Sequence, residues 1–253
     1  MKAERKVAIV TAAAGAGIGA AIARQLAQDG MHVVITDIHE VRRNKLSEEL
    51  QAETGIECPA YMLDVADFSS AEQLCREVYE KFGRIDVLVN NAGWSKIEKV
   101  AEMSLETWQK CIDIDLTGTF SCMRHALPYM IKGGSGNIIN ISSISGWEMT
   151  EEHGAAYSAA KAGVMALTRV AAAENGRHGI RVNAVVPGLI YNDFLRRIYP
   201  DSFFDGYLEN RSVVGRLGTP EDVAHLVSFL ASDKAGYITG ESYGISGGVH
   251  PHA

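Results

Sequence analysis

Residues 6–29 read Lys6-Val-Ala-Ile-Val-Thr-Ala-Ala-Ala-Gly-Ala-Gly-Ile-Gly-Ala-Ala-Ile-Ala-Arg-Gln-Leu-Ala-Gln-Asp29, and this stretch decides the fold. The apolar run Lys6–Val10 predicts a strand. A glycine-rich turn follows at once, and the apolar residues beyond it recur at helical spacing, which predicts a helix over Gly19–Asp29. Strand, glycine turn and helix in direct succession form the first half of a βαβ unit, the building block of a parallel sheet.

The same alternation continues along the chain. Further strands are predicted at His32–Thr36, Glu57–Leu63, Val87–Val89, Asn137–Ile141, Arg181–Val185 and Ser242–Ile245, and further helices at Val41–Glu53, Ser69–Phe82, Leu105–Met130, Ala155–Gly176 and Pro220–Ala231. The strands are apolar throughout, as expected when helices cover both faces. We therefore predict an α/β fold with a single Rossmann-type, doubly wound parallel sheet of about seven strands. We expect one domain over residues 1–253, interrupted only by an aromatic-rich segment at about 191–212.

Composition limits the class of protein. The chain has 253 residues, 47% of them hydrophobic, and a net charge of -7. This balance gives no reason to expect nucleic acid or a membrane surface as a partner, and no apolar run reaches the roughly 18 residues that a membrane span needs. The start predicts a strand rather than a signal peptide, and the four cysteines form no CxxC pair. We expect a cytoplasmic protein with reduced thiols, a small-molecule substrate and no metal site.

The glycine turn carries the first functional prediction. Gly15, Gly17 and Gly19 let the backbone turn tightly and approach a pyrophosphate, whose charge would lie at the following helix N-terminus. Turns of this kind also occur for packing alone, so a second signal is needed before a dinucleotide is assigned.

Asp37 supplies that second signal. It ends the second strand, eighteen residues after Gly19, where a carboxylate would accept both hydroxyls of an adenosine ribose and repel the 2′-phosphate of NADP. The alternative is a plain turn or helix-cap aspartate. Arg42 and Arg43 follow closely and could meet a phosphate, so the sequence favours NAD while leaving NADP open.

Tyr157 and Lys161 lie four residues apart at the start of a predicted helix, and therefore on one face of it. A free tyrosine loses its proton only near pH ~10. We expect the lysine ammonium, together with a positively charged nicotinamide, to lower the pKa of Tyr157. Ser143 closes the predicted strand at 137–141, and its hydroxyl could hold the reacting oxygen. A YxxxK pair alone is common on protein surfaces, but with the turn and Asp37 upstream it predicts hydride transfer between nicotinamide and an alcohol or ketone.

These motifs in this order resemble the short-chain dehydrogenase/reductase family over essentially the whole chain. The remaining matching pieces are Asp64-Val65, Asn90-Asn91-Ala92-Gly93, Pro187-Gly188 and the run Gly215–Ala224. The resemblance implies an NAD(P)-dependent enzyme acting on CH–OH groups, and a homo-oligomer, either a dimer or a tetramer. It implies Ser143, Tyr157, Lys161 and Asp115 as catalytic residues. It implies cofactor contacts from Thr11, Gly15, Gly17, Ile18, Gly19, Asp37, Ile38, Asp64, Val65, Asn91, Ala92, Gly93, Tyr157, Lys161, Pro187, Gly188 and Ile190.

Three departures from the family pattern stand out. Ala12 occupies a position where glycine is usual, in a turn that is one residue longer; we expect cofactor binding to survive because Gly17 and Gly19 remain. Asn192 replaces the threonine common after Pro-Gly. Asp115 takes the place of the family's catalytic asparagine. Asp115 could hold the same water, or it could pair with Lys161 and alter its pKa, and the sequence leaves both open.

A narrower resemblance concerns the substrate. The glycine turn, Gly146-Trp147, the run Lys161–Arg169 and the histidine-proline tail resemble actinobacterial dehydrogenases of steroid-ring catabolism, which act on bulky hydroxyl or keto acyl-CoA fragments. In the family, the segment 191–212 is a substrate lid. Its aromatic content favours a bulky apolar ligand, although the same side chains could pack the lid against the body or another subunit. Further candidates for the pocket wall are Trp94, Trp147, Met149 and His153, and Arg196, Arg197 and Arg211 are either phosphate ligands or solvated surface residues.

The leading hypothesis is an NAD(H)-dependent oxidoreductase that interconverts a secondary alcohol and a ketone on a bulky apolar substrate, steroid-derived or acyl-CoA-linked. The first alternative is a 3-oxoacyl-thioester reductase of fatty-acid type, which would normally use NADPH. Asp37 argues against this alternative, because its carboxylate would repel the 2′-phosphate of NADPH. The second alternative is a dinucleotide-binding regulator without chemistry. Such proteins usually lose the tyrosine or the lysine, and both are present here.

Overall fold

A computed structural model describes residues 5–15, 17–149, 151, 153–192, 195 and 199–250. Seven parallel strands form one sheet in the order β3-β2-β1-β4-β5-β6-β7. The strands are β1 Val7–Val10, β2 His32–Asp37, β3 Ala60–Met62, β4 Val87–Asn90, β5 Gly136–Ile141, β6 Ile180–Pro187 and β7 Ser242–Ile245. The predicted parallel, doubly wound sheet is confirmed, although β3 is shorter than the predicted run Glu57–Leu63.

Helices cover both faces of this sheet. They are α1 Ile18–Gln28, α2 Glu40–Thr54, α3 Phe68–Phe82, α4 Leu105–Ile112, α5 Gly118–Gly133, α6 Ala155–Asn175, α7 Asp201–Asn210 and α8 Pro220–Ala231. Side chains from α1, α2 and α8 join one buried cluster, and side chains from α3, α5 and α6 join a second on the opposite face. The strands between the two clusters are buried on both sides, which explains their uniformly apolar sequence.

The long helix predicted over Leu105–Met130 is interrupted. α4 and α5 are separated by a π-helical turn, Asp113–Thr117. Short π segments inside α-helices change the direction in which their side chains point, and they often occur at functional sites. The turn contains the fully buried Asp115, so the prediction of one regular helix was wrong where a charged side chain is directed into the protein.

The strand order changes direction between β1 and β4. β2 and β3 lie on one side of this point, while β5, β6 and β7 lie on the other. In open parallel sheets, the crevice at the carboxyl ends of such neighbouring strands is where ligands bind. The glycine turn after β1 and the Asn91-Ala92-Gly93 segment after β4 both lie at this crevice.

Candidate active site

The predicted catalytic residues converge beside β5 and α6. Ser143 lies two residues beyond the end of β5, and Tyr157 and Lys161 lie in the first two turns of α6. The Nζ atom of Lys161 is 5.4 Å from the centroid of the Tyr157 ring. Ser143, Tyr157 and Lys161 all line one cavity.

Close backbone packing holds the serine loop against α6. Gly146 follows Ser143 by three residues, and a Cβ at this position would lie 2.8 Å from the backbone nitrogen of Ala162 and 2.9 Å from the backbone carbon of Lys161. The Ser142 hydroxyl donates to the Lys161 carbonyl over 2.8 Å. A larger residue at 146 would push the loop away from the helix, so these contacts set the position of Ser143 relative to Tyr157.

Asp115 forms a buried ion pair with Lys161. Its Oδ1 atom lies 3.1 Å from Nζ of Lys161, and the two side chains are 0% and 4% exposed. Its Oδ2 atom accepts from the Trp94 backbone N–H over 2.9 Å, and Nζ of Lys161 also donates to the Ile141 carbonyl over 3.1 Å. Of the two roles that the sequence left open for Asp115, the structure contains the pairing with Lys161.

The ion pair changes the electrostatics around Tyr157. Burial raises the pKa of Tyr157; Lys161 and a hydrogen bond with Ser143 act to lower it, whereas the charge of Asp115 raises it further. The pKa of Tyr157 in this structure lies above the ordinary tyrosine value; Lys161 lowers it as expected, and the lowering by a nicotinamide stays a prediction. Burial is the largest single influence on the pKa of Lys161 and lowers it, but attraction to Asp115 and Tyr157 and the hydrogen bond with Asp115 together raise it above the ordinary lysine value.

The glycine turn after β1 leaves room for a ligand. A Cβ at Gly15 or at Gly17 would meet no other atom within 4 Å. Gly17 is the N-cap residue that precedes α1, and among the described residues no side chain caps this helix end. The first amides of α1 therefore keep their capacity to bind a pyrophosphate. These observations fit the implied dinucleotide.

Ala12 takes the backbone conformation that its usual glycine would take. Its φ is +49°, and among the described residues it is the one non-glycine with a positive φ. The carbonyl of Ala12 lies 2.5 Å from where a Cβ of Gly19 would stand. The longer turn thus keeps the left-handed geometry and the close helix approach without the glycine.

Thr11 and Asn91 tie the turn to β4. The Thr11 hydroxyl accepts from the backbone N–H groups of Asn91 and Ala92 over 2.8 and 3.0 Å. The Asn91 side chain donates to the carbonyls of Thr11 and Ala12, each over 3.1 Å. Both side chains therefore hold the two sides of the crevice together.

Asp37 lies at the end of β2 with its carboxylate facing the same crevice. Oδ2 accepts from the Ala14 backbone N–H of the glycine turn over 3.2 Å, and Oδ1 accepts from the His39 N–H over 2.9 Å. A carboxylate has about four acceptor sites, so two contacts leave capacity for ribose hydroxyls. Asp37 therefore has the contacts of a turn residue. The same two hydrogen bonds also hold its carboxylate where a ribose would need it.

The other residues implied for the cofactor lie along the crevice or next to it. Gly93, Pro187, Gly188, Ile190 and Ile18 line the cavity that contains Ser143. Asp64 is exposed, with Oδ1 accepting from Ala66 N–H over 3.0 Å, and Ile38 is 60% exposed. Val65 is buried against Gly118 of α5.

The cavity beside Ser143, Tyr157 and Lys161 has a volume of about 370 Å³, and described residues of the segment 191–212 form part of its wall. The side chains that this segment contributes are Asn192, Leu195, Tyr199, Phe203, Tyr207 and Arg211. Trp94 lines the cavity, as predicted, and so does His153, for which a plain loop position was the favoured interpretation. Trp147 and Met149 do not: Trp147 packs near Ile144 and stacks on His250, and Met149 is fully exposed. Phe194, Arg196, Arg197 and Ile198 lie outside the described residues.

Sequence reasoning missed one charged pair in the cavity wall. Glu148 accepts a hydrogen bond from Nη2 of Arg211, and their side chains are 7% and 28% exposed. Arg211 was expected to be a phosphate ligand or a solvated surface residue; in the structure it is only partly exposed and pairs with Glu148. Glu148 carried no motif signal, because its partner is 63 residues away in sequence.

The described part of the chain also bears on metal binding and membrane insertion. Among those residues, no group of three or more His, Cys, Asp or Glu side chains could hold a metal ion. None of the described helices has the length and apolar content to cross a membrane.

Comparisons with known proteins agree with this geometry. The family described as Enoyl-(Acyl carrier protein) reductase matches residues 12–250. The 3-oxoacyl-(acyl-carrier-protein) reductase FabG of Thermotoga maritima is 39% identical over 98% of this chain and 99% of its own length. A Mycobacterium tuberculosis protein, (5R,7aS)-5-hydroxy-7a-methyl-1-oxo-2,3,5,6,7,7a-hexahydro-1H-indene-carboxyl-CoA reductase, is 39% identical over 95% of this chain and 92% of its own. The crystal structure of gox2181 superposes with a TM-score of 0.92 at 36% identity, covering 97% of this chain and 96% of that one.

The chain belongs to the short-chain dehydrogenase/reductase family. It is an oxidoreductase that acts on hydroxyl or carbonyl groups with a nicotinamide dinucleotide.

Proposed function

We propose that this protein is an NAD(H)-dependent oxidoreductase that interconverts a secondary alcohol and a ketone on a bulky apolar substrate. The observation that carries the proposal is the position of Ser143, Tyr157 and Lys161 in the wall of a cavity that aromatic side chains of the segment 191–212 also line. Pockets for small molecules are mostly apolar, with a few convergent polar groups that set orientation. Here the convergent polar groups are those that carbonyl chemistry needs.

Tyr157 acts as the general acid or base. In the oxidation direction its phenolate accepts the proton of the alcohol, and in the reduction direction its hydroxyl donates a proton to the carbonyl oxygen. Ser143 shares a hydrogen bond with Tyr157 and holds the reacting oxygen. The ammonium of Lys161 stabilises the phenolate. The bound nicotinamide supplies or accepts the hydride.

Asp115 is a positioning residue in this proposal. It contacts Lys161 and the Trp94 backbone and holds the ammonium in place beside Tyr157. Its negative charge opposes the stabilisation of the phenolate, so proton loss from Tyr157 needs a higher pH than it would beside an asparagine.

Asp37 supports NAD as the cofactor. Its carboxylate is tied to the glycine turn through the Ala14 N–H, where it would face the adenosine ribose and repel a 2′-phosphate. Arg43 lies next to it and donates to the Asp37 carbonyl over 3.4 Å. The guanidinium is therefore close enough to the ribose end of the crevice for NADP to remain the competing cofactor to test.

A 3-oxoacyl-thioester reductase is the second candidate. The likeness to the Thermotoga maritima reductase favours this candidate. The likeness to the indene-carboxyl-CoA reductase favours a bicyclic acyl-CoA substrate instead. Asp37 weighs against the fatty-acid type, which would normally use NADPH. A third hypothesis is a non-catalytic, dinucleotide-binding regulator, and the intact arrangement of Tyr157 and Lys161 argues against it.

We also propose that the protein is a cytoplasmic homo-oligomer. Leu105, Trp108 and Phe120 on α4 and α5 are 85%, 39% and 42% exposed, and exposed apolar side chains of this size are typical of contact surfaces. Light scattering of the purified protein tests this: a dimer or tetramer is expected, and a monomer at micromolar concentration would contradict it.

The proposed function is tested by following NADH or NADPH formation with a panel of alcohols. The panel holds hydroxysteroids, CoA-linked bicyclic hydroxy fragments and 3-hydroxyacyl-CoA thioesters, each with NAD and with NADP. We expect NAD-dependent turnover of one bulky class. Turnover only with NADP would overturn the cofactor assignment, and turnover only of linear 3-hydroxyacyl thioesters would replace the leading function by the second candidate.

A further inference from the structure

The charged side chains around the substrate cavity are arranged in pairs. Among the described residues that line it, the cations are Lys161, which lies against Asp115, and Arg211, which lies against Glu148. His153 is the other titratable side chain near Tyr157, with ring centroids 5.8 Å apart. Each permanently charged cation of the wall thus has a buried carboxylate beside it.

The Glu148 carboxylate does more than neutralise Arg211. Oε2 accepts from the guanidinium, whereas Oε1 is buried and has no hydrogen-bond partner. A buried carboxylate oxygen without a donor leaves negative potential in its surroundings, and a second anion brought close to it would be repelled. The side chain is 7% exposed, so solvent screens this repulsion only weakly.

The local fold fixes both partners. Glu148 follows the Ser143 loop, where its backbone N–H donates to the Ile144 carbonyl over 2.9 Å. Arg211 ends α7, and its guanidinium lies 5.3 Å from the centroid of the Tyr207 ring. The pair therefore joins the Ser143 loop to the end of α7 in the wall of the cavity.

We infer that Glu148 is a selectivity residue that reserves the cavity for substrates whose enclosed part is uncharged and rejects those with a carboxylate there. The inference rests on the proposed function, which makes this cavity the substrate site. Arg211 by itself would attract an anionic substrate group, because guanidinium and carboxylate form strong bidentate pairs. Glu148 pairs with Arg211 instead, which removes the attraction of the guanidinium for a substrate carboxylate.

Matched neutral and anionic ligands test the inference without any turnover. The probes are the ortho, meta and para isomers of (4-oxocyclohexyl)benzoic acid and their primary amides, which have nearly the same shape but differ by one charge. Each is titrated into the cofactor-free protein by calorimetry. We expect the best-bound amide to bind at least about tenfold more tightly than its carboxylate, as a repulsion of that order requires.

Three variants separate charge from structure. Glu148→Gln keeps the side-chain size and should abolish or reverse the preference for the amide. Arg211→Gln breaks the same pair but keeps the carboxylate, so the preference should persist or increase. In the double variant Glu148→Gln/Arg211→Gln, the preference for the amide should be absent as well, because the charge of Glu148 is removed.

Several results would overturn the inference. They are a wild-type protein that binds carboxylate and amide equally, failure of every amide to bind, an unchanged preference in Glu148→Gln, and a preference lost equally in Arg211→Gln. The last would mean that the pair acts by holding the lid rather than by charge. The proposed function fails separately, if the wild-type protein binds these ketones with the expected preference but transfers no hydride to any substrate of the panel.

Discussion

Oδ1 of Asp115 lies 3.1 Å from Nζ of Lys161 inside the protein, one helical turn from Tyr157. The ion pair joins the π-helical turn between α4 and α5 to the helix that carries the proposed acid and base. Removing one partner of a buried pair leaves the other charge uncompensated, so the pair stabilises a single arrangement of both elements. It also places a negative charge where a phenolate has to form.

Asp115→Asn should therefore make alcohol oxidation less dependent on high pH. Asp115 raises the pKa of Tyr157, and without its charge the Tyr157–Lys161 pair loses a proton more readily. The acid limb of kcat/KM for oxidation should move to lower pH by about one unit. Asp113→Asn, on the same turn, is the matched control and should leave the profile unchanged. An acid limb that stays in place or moves to higher pH in Asp115→Asn would contradict the electrostatic account.

Gly93→Ala should disturb the same ion pair by volume alone. A Cβ at position 93 would stand 2.9 Å from Oδ1 of Asp115 and 3.4 Å from Nζ of Lys161. We expect kcat to fall by about tenfold or more, because displacements of this size at catalytic groups are costly. Gly133→Ala, whose Cβ would meet nothing within 4 Å, serves as the control. Unchanged steady-state kinetics in Gly93→Ala would mean that activity does not require Asp115 and Lys161 to lie 3.1 Å apart.

Asp37→Asn should change the choice of cofactor. Neutralising the carboxylate removes the repulsion of a 2′-phosphate, and the single side-chain oxygen of asparagine can still accept from one of the two amides that contact Asp37, those of Ala14 and His39. The ratio of kcat/KM for NAD to that for NADP should fall by about 10- to 100-fold. Glu40→Gln, at the start of α2, provides a control for the loss of one negative charge nearby. A ratio that does not change would show that Asp37 serves only the turn.

Ala12→Gly should stabilise the fold. An L-residue at φ +49° carries strain of roughly 1–2 kcal/mol, partly offset by the greater entropy of glycine in the unfolded chain. We expect the free energy of unfolding to rise by about 0.5–1 kcal/mol in urea titrations. Ala13→Gly, next to it but without a positive φ, should lower it. A destabilised Ala12→Gly protein would show that the turn is not strained at this residue.

Periodic and local features of the fold were predictable from the sequence. β1, the glycine turn and α1 follow one another within residues 6–29, and each is defined by neighbours a few positions apart. The positions of Tyr157 and Lys161 on one helix face follow from their spacing for the same reason. The π-helical turn at Asp115 was not predictable, because it depends on contacts with Trp94 and Lys161 from other elements.

The pairing of Glu148 with Arg211 was not predictable either. The two residues are 63 positions apart in sequence and come together only in the folded protein, where the end of α7 lies against the Ser143 loop. The net direction of the Tyr157 pKa in this structure was not predictable from the sequence for a related reason. The sequence identifies Lys161 as a neighbour but does not give the burial of the tyrosine, which is the larger effect.

The most direct test of the central claim compares wild-type protein with Tyr157→Phe under single-turnover conditions, with NAD and the best substrate of the panel. Binding of NADH is measured in parallel by fluorescence. We predict that hydride transfer falls by about 10²-fold or more while NADH binding is retained, because the variant loses only the group that moves the proton. Hydride transfer at the wild-type rate in Tyr157→Phe would contradict the account.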